Sequence, residues 1–129
     1  MPFATALKVL IVDDKPAVRQ VTRLALEKLG VRLIHEAGNG STGLQKAVVQ
    51  PLDLIISEFS MPKMDGLQLL QAIRGHPAVR KLPFILITSR GDRDLVVTAA
   101  QAGVNTYLIK PFTDRTLRKK IEEVFGRLS

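Results

Sequence analysis

The chain has 129 residues, 46% apolar and 24% charged, with a net charge of +7 and no cysteine. That length suits one domain hiding roughly two-thirds of its unfolded surface, and zero cysteines exclude disulfide and thiol chemistry. No apolar run approaches the roughly 20 residues that span a bilayer, and residues 1–6 lack the charged start and long apolar stretch of a signal peptide, so a cytoplasmic protein without membrane insertion is expected.

Short apolar runs alternate with helical patterns along the chain. Lys8–Val12 reads as strand one. Pro16–Leu29 reads as helix one, with Val18, Val21, Ala25 and Leu29 on one face and Gly30 as its stop. Arg32–Glu36 is the second strand, and Ser41 is the expected cap of a helix running to about Val49. Leu52–Ser57 follows Pro51 as strand three. Gly66–Arg74 is helix three, closed by Gly75. Phe84–Thr88 is strand four, Arg93–Ala102 helix four, and Thr106–Lys110 strand five. Thr113 caps a last helix with Leu117, Ile121, Val124 and Leu128 facing inward. Five βα units result. Strands one, three and four are nearly pure Val, Ile and Leu, as in a parallel sheet covered on both faces. Right-handed crossovers then give an α/β, doubly wound layer structure. One domain is expected over 1–129, with no output domain after the last helix.

Four of these runs end on a reactive polar residue. Val9–Val12 stops at Asp13-Asp14, Leu54–Ile56 at Ser57-Glu58, Phe84–Ile87 at Thr88, and Tyr107–Ile109 at Lys110-Pro111. The carboxyl ends of parallel strands share one edge, where ligands bind. Three carboxylates, a hydroxyl and an ammonium are therefore expected in one cleft. Adjacent acids repel unless a cation intervenes, and hard oxygen ligands select Mg²⁺. A loop carbonyl after strand three, with Ser60 the best-placed donor, would complete the set. Such a site suits a phosphoryl group, whose transfer depends on positioning and charge neutralisation, and a carboxylate nucleophile there would form an acyl phosphate.

The stretches Val12-Asp13-Asp14, DLIISEFSMPKMDG over 53–66, Ile87-Thr88-Ser89 and YLIKPF over 107–112 resemble the CheY-like receiver domains of bacterial two-component response regulators. The likeness covers nearly the whole chain, and MPKMDGLQLL and AAQAGVNTYLIKPFT add to it. It implies a flavodoxin-like sheet of order 2-1-3-4-5 with five helices, and phosphorelay signalling with a histidine kinase as one partner. By this resemblance Asp13 and Asp14 match the metal-binding acidic pair, with Glu58 and the Ser60 carbonyl beside them. Thr88 matches the switch hydroxyl, Lys110 the lysine on a phosphoryl oxygen, and Tyr107 the aromatic that swings inward. Ser89 stands where a small residue admits the phosphoryl group.

Glu58 departs from the pattern, because the phosphoacceptor position, five residues after Asp53, holds aspartate in the family. The extra methylene moves the carboxylate out by roughly 1.3 Å. A misplacement of about 1 Å can cost on the order of 100-fold in such chemistry. The longer side chain could ion-pair with Lys110 or ligate the metal. Three readings stand at this point: Glu58 imitates the phosphorylated state, the domain is a non-switching adaptor, or phosphate is still accepted. In each, the chain is a signalling module rather than an enzyme.

The charge is uneven. Residues 1–64 carry eight basic and six acidic groups, and residues 65–129 eleven and six. By resemblance the output face is helix four, strand five and helix five, where Arg93, Lys110, Arg115, Arg118, Lys119 and Lys120 would meet an acidic protein partner. The rival reading is a solvated basic helix. Nucleic acid is an unlikely partner, since base-stacking aromatics are scarce. An FMN carrier would want a hydroxyl-rich phosphate loop after strand one, where this chain has two acids. His35 and His76 read as structural or surface residues.

Overall fold

Residues 3–89 and 91–129 are described by the computed structural model. The elements in chain order are β1 (Lys8–Val12), α1 (Pro16–Lys28), β2 (Leu33–Ala37), α2 (Gly40–Val49), β3 (Leu54–Glu58), α3 (Gly66–Gly75), β4 (Phe84–Thr88), α4 (Arg93–Gln101), β5 (Thr106–Ile109) and α5 (Asp114–Phe125), after a 3₁₀ turn at Ala4–Ala6. All neighbouring strands pair in parallel in the order β2-β1-β3-β4-β5. The flavodoxin-like topology expected from the motifs is present.

Alternation along each strand divides the core in two. Val9, Ile11, Leu54, Ile56, Ile85, Ile87 and Leu108 point to one face, where Ala25 and Leu26 of α1 and Leu117 and Ile121 of α5 cover them. Leu10, Val12, Ile55, Phe84 and Leu86 point to the other, under Ala47 of α2, Leu69, Leu70 and Ile73 of α3 and Ala99 of α4. Since β1, β3 and β4 are covered on both sides, their sequences carry no polar alternation. Edge strand β2 alternates between exposed and half-buried positions before Ala37.

Several boundaries differ from expectation. Helix α1 turns Thr22, Ala25 and Leu26 inward, whereas Val21 is 58% exposed. Of the expected face, Ala25 is buried and Leu29 packs on the core, but the inward stripe also takes in Thr22, whose short side chain fits where α1 meets the sheet. The cap of α2 is Asn39, whose Oδ1 accepts the Thr42 N–H at 2.7 Å, and Ser41 already lies inside the helix. Strand β3 runs through Glu58, its last residue, one beyond the expected end. Helix α3 opens with a capping box between Asp65 and Gln68, at 2.8 and 2.9 Å. Leu117, Ile121 and Leu128 are buried as expected, and Val124 packs against them.

Candidate functional site

Parallel register brings the strand ends level. Val12 lies beside Ser57, Glu58 beside Ile87, and Thr88 beside Ile109. Asp13, Glu58, Thr88 and Lys110 therefore emerge along one edge. Backbone hydrogen bonds continue the ladder past the last strand residues, from Asp13 N to Ala37 O at 3.1 Å and from Lys110 N to Thr88 O at 2.9 Å. Asp13, Glu58 and Thr88 are all buried.

The decisive contact joins non-neighbouring strands. Across β4, Lys110 Nζ donates to Glu58 Oε1 at 2.7 Å. Glu58 has a side chain only 5% exposed, while that of Lys110 reaches partly to solvent. Glu58 Oε2 is buried with no hydrogen-bond partner among the described residues. Burial pushes the Glu58 carboxyl above its ordinary value of 4.5, the Lys110 ammonium opposes that shift, and the Asp13 charge adds to it. The Phe59 N–H exerts a weaker lowering pull and is donated to the Ile87 carbonyl at 2.7 Å. The Glu58 carbonyl is also fixed from outside. A Cβ on Gly66 would lie 2.3 Å from Glu58 O, so only glycine lets α3 start so close to the strand end.

The acidic pair divides its work. Asp13 Oδ1 accepts the Lys15 N–H at 2.9 Å, turning the chain into α1. Asp14 is half-buried, its Oδ1 is enclosed without a hydrogen-bond partner, and Lys15 Nζ is 3.8 Å from that atom. A groove of about 580 Å³ opens beside Asp14, lined among others by Asn39, Thr42, Lys63 and Met64. Ser60 is exposed two residues past Glu58, and Ser89 is exposed just past β4. Tyr107 is half-buried on β5 among the apolar side chains on the α2–α3–α4 face of the sheet, with Lys120 Nζ 5.3 Å from its ring centre.

These donors are hard oxygens, and Asp14 Oδ1, enclosed without a hydrogen bond and 3.8 Å from the Lys15 ammonium, has lone pairs open to a cation. Asp13 and Asp14 fit such an ion. The structure does not draw them together with Glu58 into a three-carboxylate metal cluster; no such group exists among the described residues. Glu58 Oε1 is instead committed to Lys110. Sequence reasoning missed Arg19, whose Nη1 donates to the Asp13 carbonyl at 2.6 Å. Its position six residues on, in a helix, gives no sequence signal of that contact. His35 is exposed, and His76 Nδ1 accepts the Ala78 N–H at 3.1 Å after α3, which agrees with structural roles.

The response regulator receiver domain model matches residues 9–122. The chain belongs to the response regulator receiver family. It is 48% identical over 128 residues to the probable chemotaxis protein CheY of Rhizobium etli, covering 99% of both chains. It is 38% identical to the chemotaxis protein CheY of Pseudomonas aeruginosa, over 95% of this chain and 99% of that one. Among solved structures, Vibrio cholerae CheY4 superposes with a TM-score of 0.85 at 30% identity, covering 92% of this chain and 98% of that one. The receiver domain of the Pseudomonas aeruginosa sensor histidine kinase PA1611, solved with magnesium coordinated in its active-site cleft, gives 0.83 at 28% identity over 93% and 98%. No described helix of this receiver is long and apolar enough to cross a membrane.

Proposed function

We propose that this receiver signals by protein–protein contact without being phosphorylated, because Glu58 occupies the space and the lysine contact that a phosphoryl group would take. The supporting observation is the 2.7 Å bond from Lys110 to Glu58 Oε1. A carboxylate on the shorter aspartate would leave room above it, and the resemblance assigns that room to the phosphoryl oxygens. Here the receiver carries its own anion against Lys110. The carboxylate is also a poor acceptor: one oxygen is paired, the other is enclosed, and burial disfavours the charged nucleophile. The domain is accordingly a binding module and not a catalyst.

A magnesium ion would be held by Asp13 and Asp14, with the Ser60 carbonyl as the third ligand that the resemblance implies, and would supply charge neutralisation for the acidic pair. The partner face is α4–β5–α5. Val97 and Ile109 are exposed apolar residues there, and Arg93, Arg115 and Lys119 are exposed cations. Arg118 and Lys120 are partly compensated by Glu122 at 3.6 Å and Glu123 at 3.8 Å. An acidic segment with apolar anchors suits this face.

Acetyl phosphate with Mg²⁺, followed by intact-mass measurement, tests the reading. The wild-type chain should gain no phosphoryl adduct, and Glu58→Asp should gain one. A stoichiometric adduct on the wild type would overturn it. Reversing Arg118 and Lys119 to Glu should abolish capture of the acidic partner, and unchanged capture would remove that face.

A further inference from the structure

The geometry points to Arg19 as the positioning residue of the acidic pair, a strut clamped on edge strand β2 by Glu36 that holds the Asp13–Asp14 turn at its backbone. This rests on the reading that Asp13 and Asp14 receive a divalent cation.

Arg19 Nη1 donates to the Asp13 carbonyl at 2.6 Å, while its Nε donates to Glu36 Oε1 at 2.7 Å. One planar guanidinium thus ties the acid-bearing turn to β2, a geometry that a lysine ammonium cannot reproduce. Glu36 is itself fixed. Arg23 Nη1 donates to its Oε2 at 2.8 Å, and Lys46 Nζ donates to its backbone carbonyl. Asp13 then has three restraints: its N–H on the Ala37 carbonyl, its carboxylate on the Lys15 N–H, and its carbonyl on Arg19, the one supplied by a side chain. Asp14, the next residue, carries the Oδ1 that is enclosed without a hydrogen bond, 3.8 Å from Lys15 Nζ. Partners that orient metal ligands from behind are worth about 10–100-fold in metal affinity.

Arg23 provides an internal control. Both arginines bind Glu36, but only Arg19 touches the acidic turn. Changing either to Gln removes one positive charge and one bond to Glu36, so loss of fold support through Glu36 would move both variants together, while Arg19→Lys keeps the charge beside the turn and removes only the planar fork.

Isothermal titration with Mg²⁺ at low ionic strength compares wild type, Arg19→Gln, Arg19→Lys and Arg23→Gln. In the same samples, NMR hydrogen exchange follows the Lys15 amide. Arg19→Gln should weaken Mg²⁺ binding about tenfold and speed Lys15 exchange by about the same factor, with Arg19→Lys behaving alike. Arg23→Gln should change either quantity by no more than about twofold. Equal effects of Arg19→Gln and Arg23→Gln would overturn the inference. If the wild type takes up no Mg²⁺, the cation reading fails, and Arg19 is judged by exchange alone: selective acceleration supports the strut, and equal rates refute it.

Discussion

Replacing Lys110 by Met keeps the aliphatic stem and removes the ammonium from Glu58. The carboxylate would then be buried with neither oxygen paired, since Oε2 already lacks a partner. Breaking a buried pair from one side costs about 3–5 kcal/mol. The Lys110 side chain is 27% exposed, so water relieves part of this, and we expect about 3 kcal/mol at neutral pH. A domain of 129 residues shifts by roughly 4 °C per kcal/mol, which predicts a Tm about 12 °C lower. The pH dependence has a definite sign. Because the folded-state pKa of Glu58 is raised above 4.5, the folded chain holds that proton more tightly than the unfolded chain. Stability therefore falls as pH rises from about 4.5 through the raised value, and the full penalty stands above it. Lys110→Met lifts that value further, so its cost should shrink on acidification as Glu58 is protonated. Thermal unfolding by circular dichroism, with Glu58→Gln as the second arm of a double-mutant cycle, reads this out. In the Glu58→Gln background Lys110→Met should cost under about 1 kcal/mol. An equal cost in both backgrounds, or a cost independent of pH, would refute the account of the ion pair.

Gly66→Ala should destabilise by about 2–3 kcal/mol, because its methyl would meet the Glu58 carbonyl at 2.3 Å, and chemical denaturation measures this. Asn39→Ala should cost about 1 kcal/mol through loss of the α2 cap, whereas Ser41→Ala should be near neutral in the same titration. The Arg19 hydrogen bond, joined by Arg23 and opposed by burial, holds Glu36 below its ordinary value of 4.5. That contribution is present above pH 4.5 and is lost as pH falls through the lowered folded value, so Glu36→Gln should destabilise at neutral pH and become neutral in acid unfolding.

The sheet was legible because the centres of β1, β3 and β4 are short runs of Val, Ile, Leu and Phe that alternate with longer helical patterns, as two-sided burial of a parallel sheet requires. Reactive residues just past those runs were legible for the same reason, since strand ends share an edge. The partner of Glu58 was open between Lys110 and a metal, and the structure places Lys110 there at 2.7 Å. On α1, Ala25 and Leu29 face the core as expected, but Val21 points to solvent and Thr22 takes the inward place, since a short hydroxyl side chain is buried at little cost. Ser41 is a good capping residue by type, but the helix begins two residues earlier, at Asn39, whose side chain takes the cap bond. Arg19 could not be found in sequence, because its target is a backbone carbonyl, which leaves no trace in residue type.

The most direct measurement is an amide NMR comparison of the wild-type chain with and without acetyl phosphate and Mg²⁺, using Mg²⁺ alone as the reference. If Glu58 already satisfies Lys110, the Thr88, Tyr107 and Lys110 signals should superimpose between the reference and the phosphodonor sample. A phosphodonor-dependent displacement of those three signals would contradict the claim that this receiver works without phosphorylation.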